Sequence, residues 1–405
     1  MNETEIKPDI YWVGAIDWAV RDFHGYVTPK GTTYNNYLIL DKESTLIDTV
    51  KYDFADITIR SIKKLAGSSE IKNIIINHIE NDHMSALGRV MEHFPQAVIY
   101  CTLRGKQGME RFFDISKWNI KTVKTGDSLN IGKHTLMFLE TPMLHWPDSM
   151  MTYVKEAKVL FSQDAFGQHI ATTQRFDDEY LESTSVNELE AITIDYYANI
   201  LMPFGRLIKS KIAEIQKMNL EIDIIAPDHG LIWRKSPSMA IDIYLKMADG
   251  HAKLRVALIY DTMWHSTEQM TLPLIQGIRE EGVECRVIKL RSTPMSVAIT
   301  EFWNSRGCLV GSPTLNNEVF PSVAEFIVHL RGLRPKDRMV GAFGSYGWGG
   351  GAVKWLYNEF EAMKLKSVPD GVQVQYRASD EDELRCFEFG REFARNVKEY
   401  HSQFK

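Results

Sequence analysis

The sequence predicts an α/β chain of two dissimilar halves, and three observations predict it. Its 405 residues exceed what one ordinary hydrophobic core serves, so two domains are expected. Up to about residue 250, short apolar runs and helical patterns follow no regular rhythm, and polar, aromatic-rich loops join them. From Lys253 onward, strand and helix patterns alternate. The domains are therefore expected at residues 1–250 and 253–405, with Met247–Ala252 as the linker.

In the first half, apolar runs suggest strands at Tyr37–Leu40, Leu46–Val50, Ile74–Asn77, Ala97–Cys101, Thr135–Leu139 and Val159–Phe161. Asp53–Leu65 reads as a helix, and Asp177–Lys217 as mostly helical with interruptions at Pro203 and Gly205. The mixture suggests an α/β sandwich with antiparallel character and long functional loops. In the second half, strands are expected at Arg255–Tyr260, Glu284–Leu290, Cys308–Val310, Met339–Phe343 and Val372–Tyr376. Helices at Ser266–Glu281, Ser296–Trp303, Val323–Leu333 and Ala352–Met363 separate them, and a long helix ends the chain. That rhythm is the pattern of a parallel doubly wound sheet.

Composition excludes several classes. With 44% hydrophobic and 25% charged residues the chain is an ordinary globular protein. A net charge of −6 argues against a nucleic-acid surface. No apolar run approaches the about 18 residues of a membrane span. The start, Met1-Asn2-Glu3-Thr4-Glu5, is polar and acidic, unlike a signal peptide. Cys101, Cys285, Cys308 and Cys386 form no C-x-x-C pair. That argues against a four-thiolate iron site and a disulfide framework, and a reducing cytoplasm is the expected location.

The densest chemistry lies in His78-Ile79-Glu80-Asn81-Asp82-His83, directly after the run Ile74-Ile75-Ile76. Four metal-capable side chains thus fall in one turn leaving a buried strand, with Asp82 and His83 at a helix start. Taken alone, such a turn also suits a solvated, charged surface. Further candidates stand at or near strand ends: His145 in Leu144-His145-Trp146-Pro147-Asp148-Ser149, Asp164 after Val159–Phe161, and His229 in Pro227-Asp228-His229-Gly230. A single histidine at any of these places is more often structural. Matching chemistry at four places in one domain argues for a shared site, since buried ionisable groups are costly unless paired or coordinated.

These motifs resemble the metallo-β-lactamase superfamily. The usual cluster there is H-x-H-x-D-H, and here Glu80 replaces the second histidine. An added carboxylate gives harder, more negative ligation, which favours iron over an imidazole-rich zinc site.

Three loops after strands of the second half suggest a flavin. Thr262-Met263-Trp264-His265-Ser266-Thr267 opens a helix with hydroxyls and backbone N–H groups that suit an anion. It lacks the G-x-G-x-x-G of dinucleotide binders. Pro313-Thr314-Leu315-Asn316-Asn317 and Ser345-Tyr346-Gly347-Trp348-Gly349-Gly350 follow the third and fourth strands. Singly, each is also a plain cap or turn. Together they resemble a flavodoxin holding FMN.

Jointly, the H-x-E-x-D-H, H-W-P-D-S, P-D-H-G and T-M-W-x-S-T motifs resemble the flavodiiron protein family over nearly the whole chain. The resemblance extends to the branch of methanogen deazaflavin-coenzyme-dependent oxidases. The resemblance implies an N-terminal metallo-β-lactamase-like αββα sandwich followed by a flavodoxin-like parallel sheet. It also implies FMN and two iron ions, and an oxidoreductase that reduces dioxygen to water, nitric oxide to nitrous oxide, or both. Carried over by motif, His78, Glu80 and His145 would hold one iron, and Asp82, His83 and His229 the other. Asp164 would bridge them with a solvent-derived ligand. Asp48, Asp148 and Asp228 are candidates for orienting the imidazoles, and His24 and Tyr26 for lining the substrate pocket. In the family, flavin and irons of one subunit are far apart, which implies a head-to-tail homodimer or a dimer of dimers. No rubredoxin-like cysteine pairs occur, so an electron donor in trans is expected, rubredoxin or a reduced deazaflavin coenzyme. Two readings compete: a metallo-β-lactamase-type hydrolase fused to a flavodoxin-like domain, and a flavin module with a degenerate metal site. Glu80 and the filled ligand positions weigh against them.

Overall fold

A computed structural model describes residues 3–67 and 70–404. Met1 and Asn2, part of the polar N-terminus, lie outside the described residues. The described chain divides into two compact units. The first comprises residues up to His24, Thr28–Tyr196 and Phe204–Leu245. The second comprises Gly25–Val27, Tyr197–Pro203 and the chain from Lys246.

In the first unit, seven of the described strands form one mixed sheet whose spatial order follows the chain. They are β1 (Thr4–Lys7), β2 (Ile10–Trp12), β3 (Tyr37–Ile39), β4 (Thr45–Ile47), β5 (Asn73–Ile75), β6 (Val98–Cys101) and β7 (Asn119–Thr122). Pairing is antiparallel from β1 to β4 and parallel from β4 to β7. A second sheet holds β8 (Ser128–Asn130), β9 (Thr135–Glu140), β10 (Met150–Val154), β11 (Val159–Gln163) and β12 (Ile224–Pro227). It is antiparallel except for the last pair.

The sheets pack through one core, where Ile39, Ile47, Ile75 and Tyr100 of the first meet Phe138, Val154, Phe161 and Ile224 of the second. Helix α1 (Ala55–Ala66) covers the outer face, setting Ile59 and Ile62 against Leu38, Leu46, Ile74 and Ile76. Alternate residues of Ile74-Ile75-Ile76 thus enter different cores. Burial on both faces explains why the segment reads as an unbroken apolar run.

The second unit has a wholly parallel main sheet. Its strands are β13 (Lys253–Tyr260), β14 (Glu284–Lys289), β15 (Ser305–Gly311) and β16 (Met339–Tyr346), in the order β14-β13-β15-β16. The short strands β17 (Lys366–Ser367) and β18 (Val372–Gln375) both pair with β16. The chain therefore reverses its direction of winding between β13 and β15, where doubly wound sheets open a ligand crevice at the carboxyl ends.

One face of this sheet is covered by α5 (Ser266–Glu280) and α9 (Asp380–Ser402), through Met270, Leu274, Phe389 and Phe393. These two helices approach at glycines: a Cβ on Gly277 would stand 2.1 Å from the Phe387 carbonyl oxygen. Also in this unit are α6 (Met295–Asn304), α7 (Pro321–Gly332) and α8 (Ala352–Ala362). Phe302 and Phe326 bring α6 and α7 together, with ring centroids 6.4 Å apart.

Three details differ from the sequence reading. The expected linker is partly helical, because the helix Pro237–Ala248 includes Met247 and Ala248. Buried Arg306 and Arg338 donate to the Gly250 carbonyl, and the Trp303 indole donates to Met247 Sδ at 3.3 Å, tying this segment to the second unit. The Asp177–Lys217 stretch is broken at Tyr197–Phe204 by a π turn and a 3₁₀ turn, and Gly205 begins the next helix rather than interrupting one.

Candidate diiron centre and flavin cavity

Strand ends of the first unit deliver the metal-capable residues to one place. Parallel pairing of Gln163 with Pro227 sets the residues after β11 and β12 side by side, so Asp164 and His229 meet. Pairing of Ile47 with Ile75 aligns the exits of β4 and β5. Asp48 there accepts both the backbone and the side-chain N–H of Asn77, at 2.7 Å each, bracing the turn that carries His78. Glu80 precedes the short helix α2 (Asn81–Met84), which carries Asp82 and His83. The loop between β9 and β10 supplies His145 and Asp148.

The ligand atoms of His78, Glu80, His145 and Asp164 lie within 4.8 Å of one another, as do those of Asp82, His83 and His229. Asp164 joins the two groups. Its Oδ2 is 2.9 Å from His145 Nε2 and 3.3 Å from His78 Nε2. Its Oδ1 is 3.1 Å from His83 Nε2 and 3.4 Å from His229 Nε2. One carboxylate thus presents a separate oxygen to each triad.

Outer contacts aim the imidazoles. His78 Nδ1 is 3.0 Å from Asp148 Oδ2, which also accepts the Ile79 N–H at 2.8 Å. His229 Nδ1 is 2.6 Å from the Thr33 carbonyl oxygen, and His83 Nδ1 is 3.4 Å from Asp228 Oδ2. At His78 and His229 an acceptor holds the Nδ1 proton and turns Nε2 inward, whereas His83 Nδ1 approaches Asp228 without a hydrogen bond.

The electrostatics are those of a cation site. Burial lowers the proton affinity of His78, but the carboxylates of Asp148 and Glu80 overcome this and push its pKa to about 10. Glu80, which burial would raise, is instead brought down to about 2 by His145 and His78. Asp164 is likewise held well below the usual carboxylate range, its burial outweighed by His83 and His145. Both carboxylate oxygens of Asp82 and the Nε2 of His229 are buried without a hydrogen bond, although the two side chains approach to 3.0 Å. Contact without hydrogen-bonding angles is what ligand atoms converging on a common point show. Three carboxylates and four imidazoles, with no thiolate, fit two divalent cations, and the oxygen-rich set suits iron.

His24 joins this group: its Nδ1 is 3.1 Å from Glu80 Oε1. Tyr26 is buried and belongs with Gly25–Val27 to the second unit. Sequence reading missed two neighbours. The Tyr196 hydroxyl donates to Asp164 Oδ1 at 3.0 Å. His169 is buried with its ring 4.9 Å from that of His229, and burial holds its pKa well below the ordinary value. Neither lies in a motif: Tyr196 ends the helix α4 (Val186–Tyr196), in an ordinary amphipathic pattern.

In the second unit, a cavity of about 700 Å³ opens at the carboxyl ends of the strands. Met263, Trp264 and Ser266 line it, as do Pro313–Asn317, Ser345–Gly349, Tyr376 and Arg377. Four expected residues do not. Thr262 and Thr267 are buried within their loop, where Thr267 Oγ1 is 2.8 Å from Ser345 Oγ. His265 is exposed and turned onto Glu268 at 2.6 Å, and Gly350 packs towards Gln373. Tyr376 and Arg377 were missed, although they follow β18 and the strand-end rule that located the other loops covers them too. Trp264 and Trp348 line the cavity while 80% and 92% exposed, which suits a flat ring stacked at the surface. Thr262 Oγ1 is a buried hydroxyl with no hydrogen-bond partner, in a loop at a helix N-terminus, as an anion cradle requires. The cavity therefore fits FMN.

Residues 32–230 match the family model described as ODP family beta lactamase, and residues 258–390 match flavodoxin. A nitric oxide reductase of Moorella thermoacetica is 44% identical, covering 97% of this chain and 98% of that protein. The chain belongs to the flavodiiron protein family. Among solved structures, rubredoxin oxygen:oxidoreductase from Desulfovibrio gigas superposes with a TM-score of 0.95 at 36% identity, over 98% of this chain and 99% of that one. The flavodiiron protein of Giardia intestinalis gives 0.94 at 34% identity, over 100% and 98%. This flavodiiron chain is accordingly an oxidoreductase whose cofactors are FMN and a non-haem diiron centre. The hydrolase and degenerate-site readings fall with that assignment. Among the described residues, no helix is long and apolar enough to cross a membrane.

Proposed function

We propose that this chain is a terminal reductase of a diatomic gas, taking dioxygen to water, nitric oxide to nitrous oxide, or both. The observation that carries the reading is Asp164, whose two oxygens face two separate triads. On this reading residues 1–250 house the irons and residues 253–405 the flavin. His78, Glu80 and His145 would hold one iron and Asp82, His83 and His229 the other, with Asp164 offering an oxygen to each. Two irons and one FMN together supply four electrons, the number that takes dioxygen to two waters. The chain's own residues hold the metals close, keep bulk water away through burial, and keep each Nε2 aimed inward. His24, against Glu80, orients that carboxylate at the pocket, and Tyr26 is assigned a pocket role on the resemblance.

Electrons reach the flavin from a donor in trans, rubredoxin or a reduced deazaflavin coenzyme; the rubredoxin-linked relative supports the former. The working unit is a head-to-tail homodimer, alone or paired into a dimer of dimers, in which the flavin cavity of one copy would serve the diiron centre of the other. A cytoplasmic location is consistent with four free thiols.

Consumption of each gas by the reduced, iron-loaded protein tests the activity, and failure with both sinks it. Stopped-flow reduction of the flavin by each donor ranks the donors. Mixing a variant with a dead metal site and one with a dead flavin site tests the dimer. Restored turnover supports it, and none refutes it.

A further inference from the structure

The loop at the start of α5 presents an electrostatic problem to a phosphate. Between Thr262 and Thr267 it contains no lysine or arginine. His265, its one cationic candidate, is exposed and engaged with Glu268. Immediately before the loop, at the end of β13, stands Asp261, a wholly buried carboxylate. A phosphate cradled by this loop would sit beside a buried negative charge.

Three elements converge on that carboxylate. Arg291, in the 3₁₀ turn Leu290–Ser292 after β14, sets its Nε 3.0 Å from Oδ1 and 3.1 Å from Oδ2. Ser322, near the start of α7, donates to Oδ2 at 2.5 Å. The Thr262 N–H donates to Oδ1 at 2.7 Å. Arg291 has a second grip, because its Nη2 donates to the Thr262 carbonyl. Its guanidinium lies over the Phe320 ring, 4.9 Å from the centroid. Thr262 is therefore held by both its N–H and its carbonyl, while its buried Oγ1 has no hydrogen-bond partner.

We propose that Asp261 and Arg291 form a brace that makes this loop selective for phosphorylated flavin. Arg291 cancels the Asp261 charge and fixes the backbone of Thr262, so the Thr262 hydroxyl and the N–H groups of the loop beyond Thr262 are left for the phosphate. Both are positioning residues: they act through Thr262 and through charge. The inference rests on the FMN reading, and it makes a claim that reading does not. Arg291 matters for the phosphate and not for the isoalloxazine ring.

The test uses the full chain stripped of flavin and titrated with FMN and with riboflavin by fluorescence quenching. Wild type should prefer FMN. Arg291→Gln should weaken FMN about tenfold or more, as expected when a wholly buried carboxylate loses its half-exposed cationic partner, and leave riboflavin within about twofold. Asp261→Asn combined with Arg291→Gln should recover most FMN affinity, because no charge is then left unpaired. Equal loss of both flavins in Arg291→Gln would mean a merely structural brace and overturn the proposal. So would a double variant as weak as the single one, which would mean that Arg291 contacts the phosphate directly. Should Arg291→Gln not fold by circular dichroism, Arg291→Lys carries the comparison. A smaller but FMN-selective loss supports the brace, and equal loss overturns it. Wild type that binds neither flavin would refute the FMN reading itself and take the proposal with it.

Discussion

The two sites are built in opposite ways. Around the diiron centre the side chains are nearly all buried, and His78 and His229 are aimed by outer acceptors, Asp148 and the Thr33 carbonyl. The flavin cavity is formed by strand-end loops, and its aromatic walls, Trp264 and Trp348, are largely exposed. Burial makes charge the organising force in the first site, because unpaired carboxylates there are costly. Exposure leaves backbone shape and stacking to organise the second. A single change should therefore cost far more in the first site than in the second.

The largest expected effect is at Asp164. Asp164→Ala removes the oxygen shared with each triad, so iron content measured by elemental analysis should fall for both ions and turnover should drop by roughly a hundredfold or more. Retention of both irons would break the bridging assignment. Next is Asp148→Ala, which touches no ligand position but frees the His78 ring, and iron affinity should fall about ten- to a hundredfold with FMN content unchanged. A loss of FMN as well would show that the sites are not independent. Trp348→Ala should weaken FMN by only about two- to tenfold, the worth of one aromatic contact, with iron intact by the same analysis.

The smallest effect concerns acid and the metal-free protein. The folded pKa of Glu80 is depressed from 4.5 to about 2, so its contribution to stability is complete above pH 4.5. It should be lost as pH falls through about 2. Melting of metal-free wild type against Glu80→Gln should show a difference near neutral pH that shrinks as acid is added. A difference that grew towards low pH would reverse the sign and sink the account.

Much of this was legible because motif and strand end coincide. The His78–His83 turn, His145, Asp164 and His229 all follow apolar runs or stand near them, and the structure brings all of them together. Of the flavin loops, the residues expected after β15 and, except Gly350, after β16 line the cavity. The one after β13 mixes residues that line the cavity with Thr262 and Thr267, which are buried and do not line it. That division depends on which way a short loop turns, and residue type does not record it.

By itself, the sequence determined the chemistry of the candidate ligands, the two fold types and the exchange of a histidine for Glu80. These follow from residue identity, local period and spacing, which neighbouring positions carry. Only the tertiary structure decided that each Asp164 oxygen faces a different triad, that Tyr196 donates to one of them, and that His169 stands beside His229. It alone showed that Arg291 reaches Asp261 from 30 positions away. The physical reason is register. Pairings such as Gln163 with Pro227, and Ile47 with Ile75, set distant strand exits side by side, and which exits meet is a property of the whole sheet.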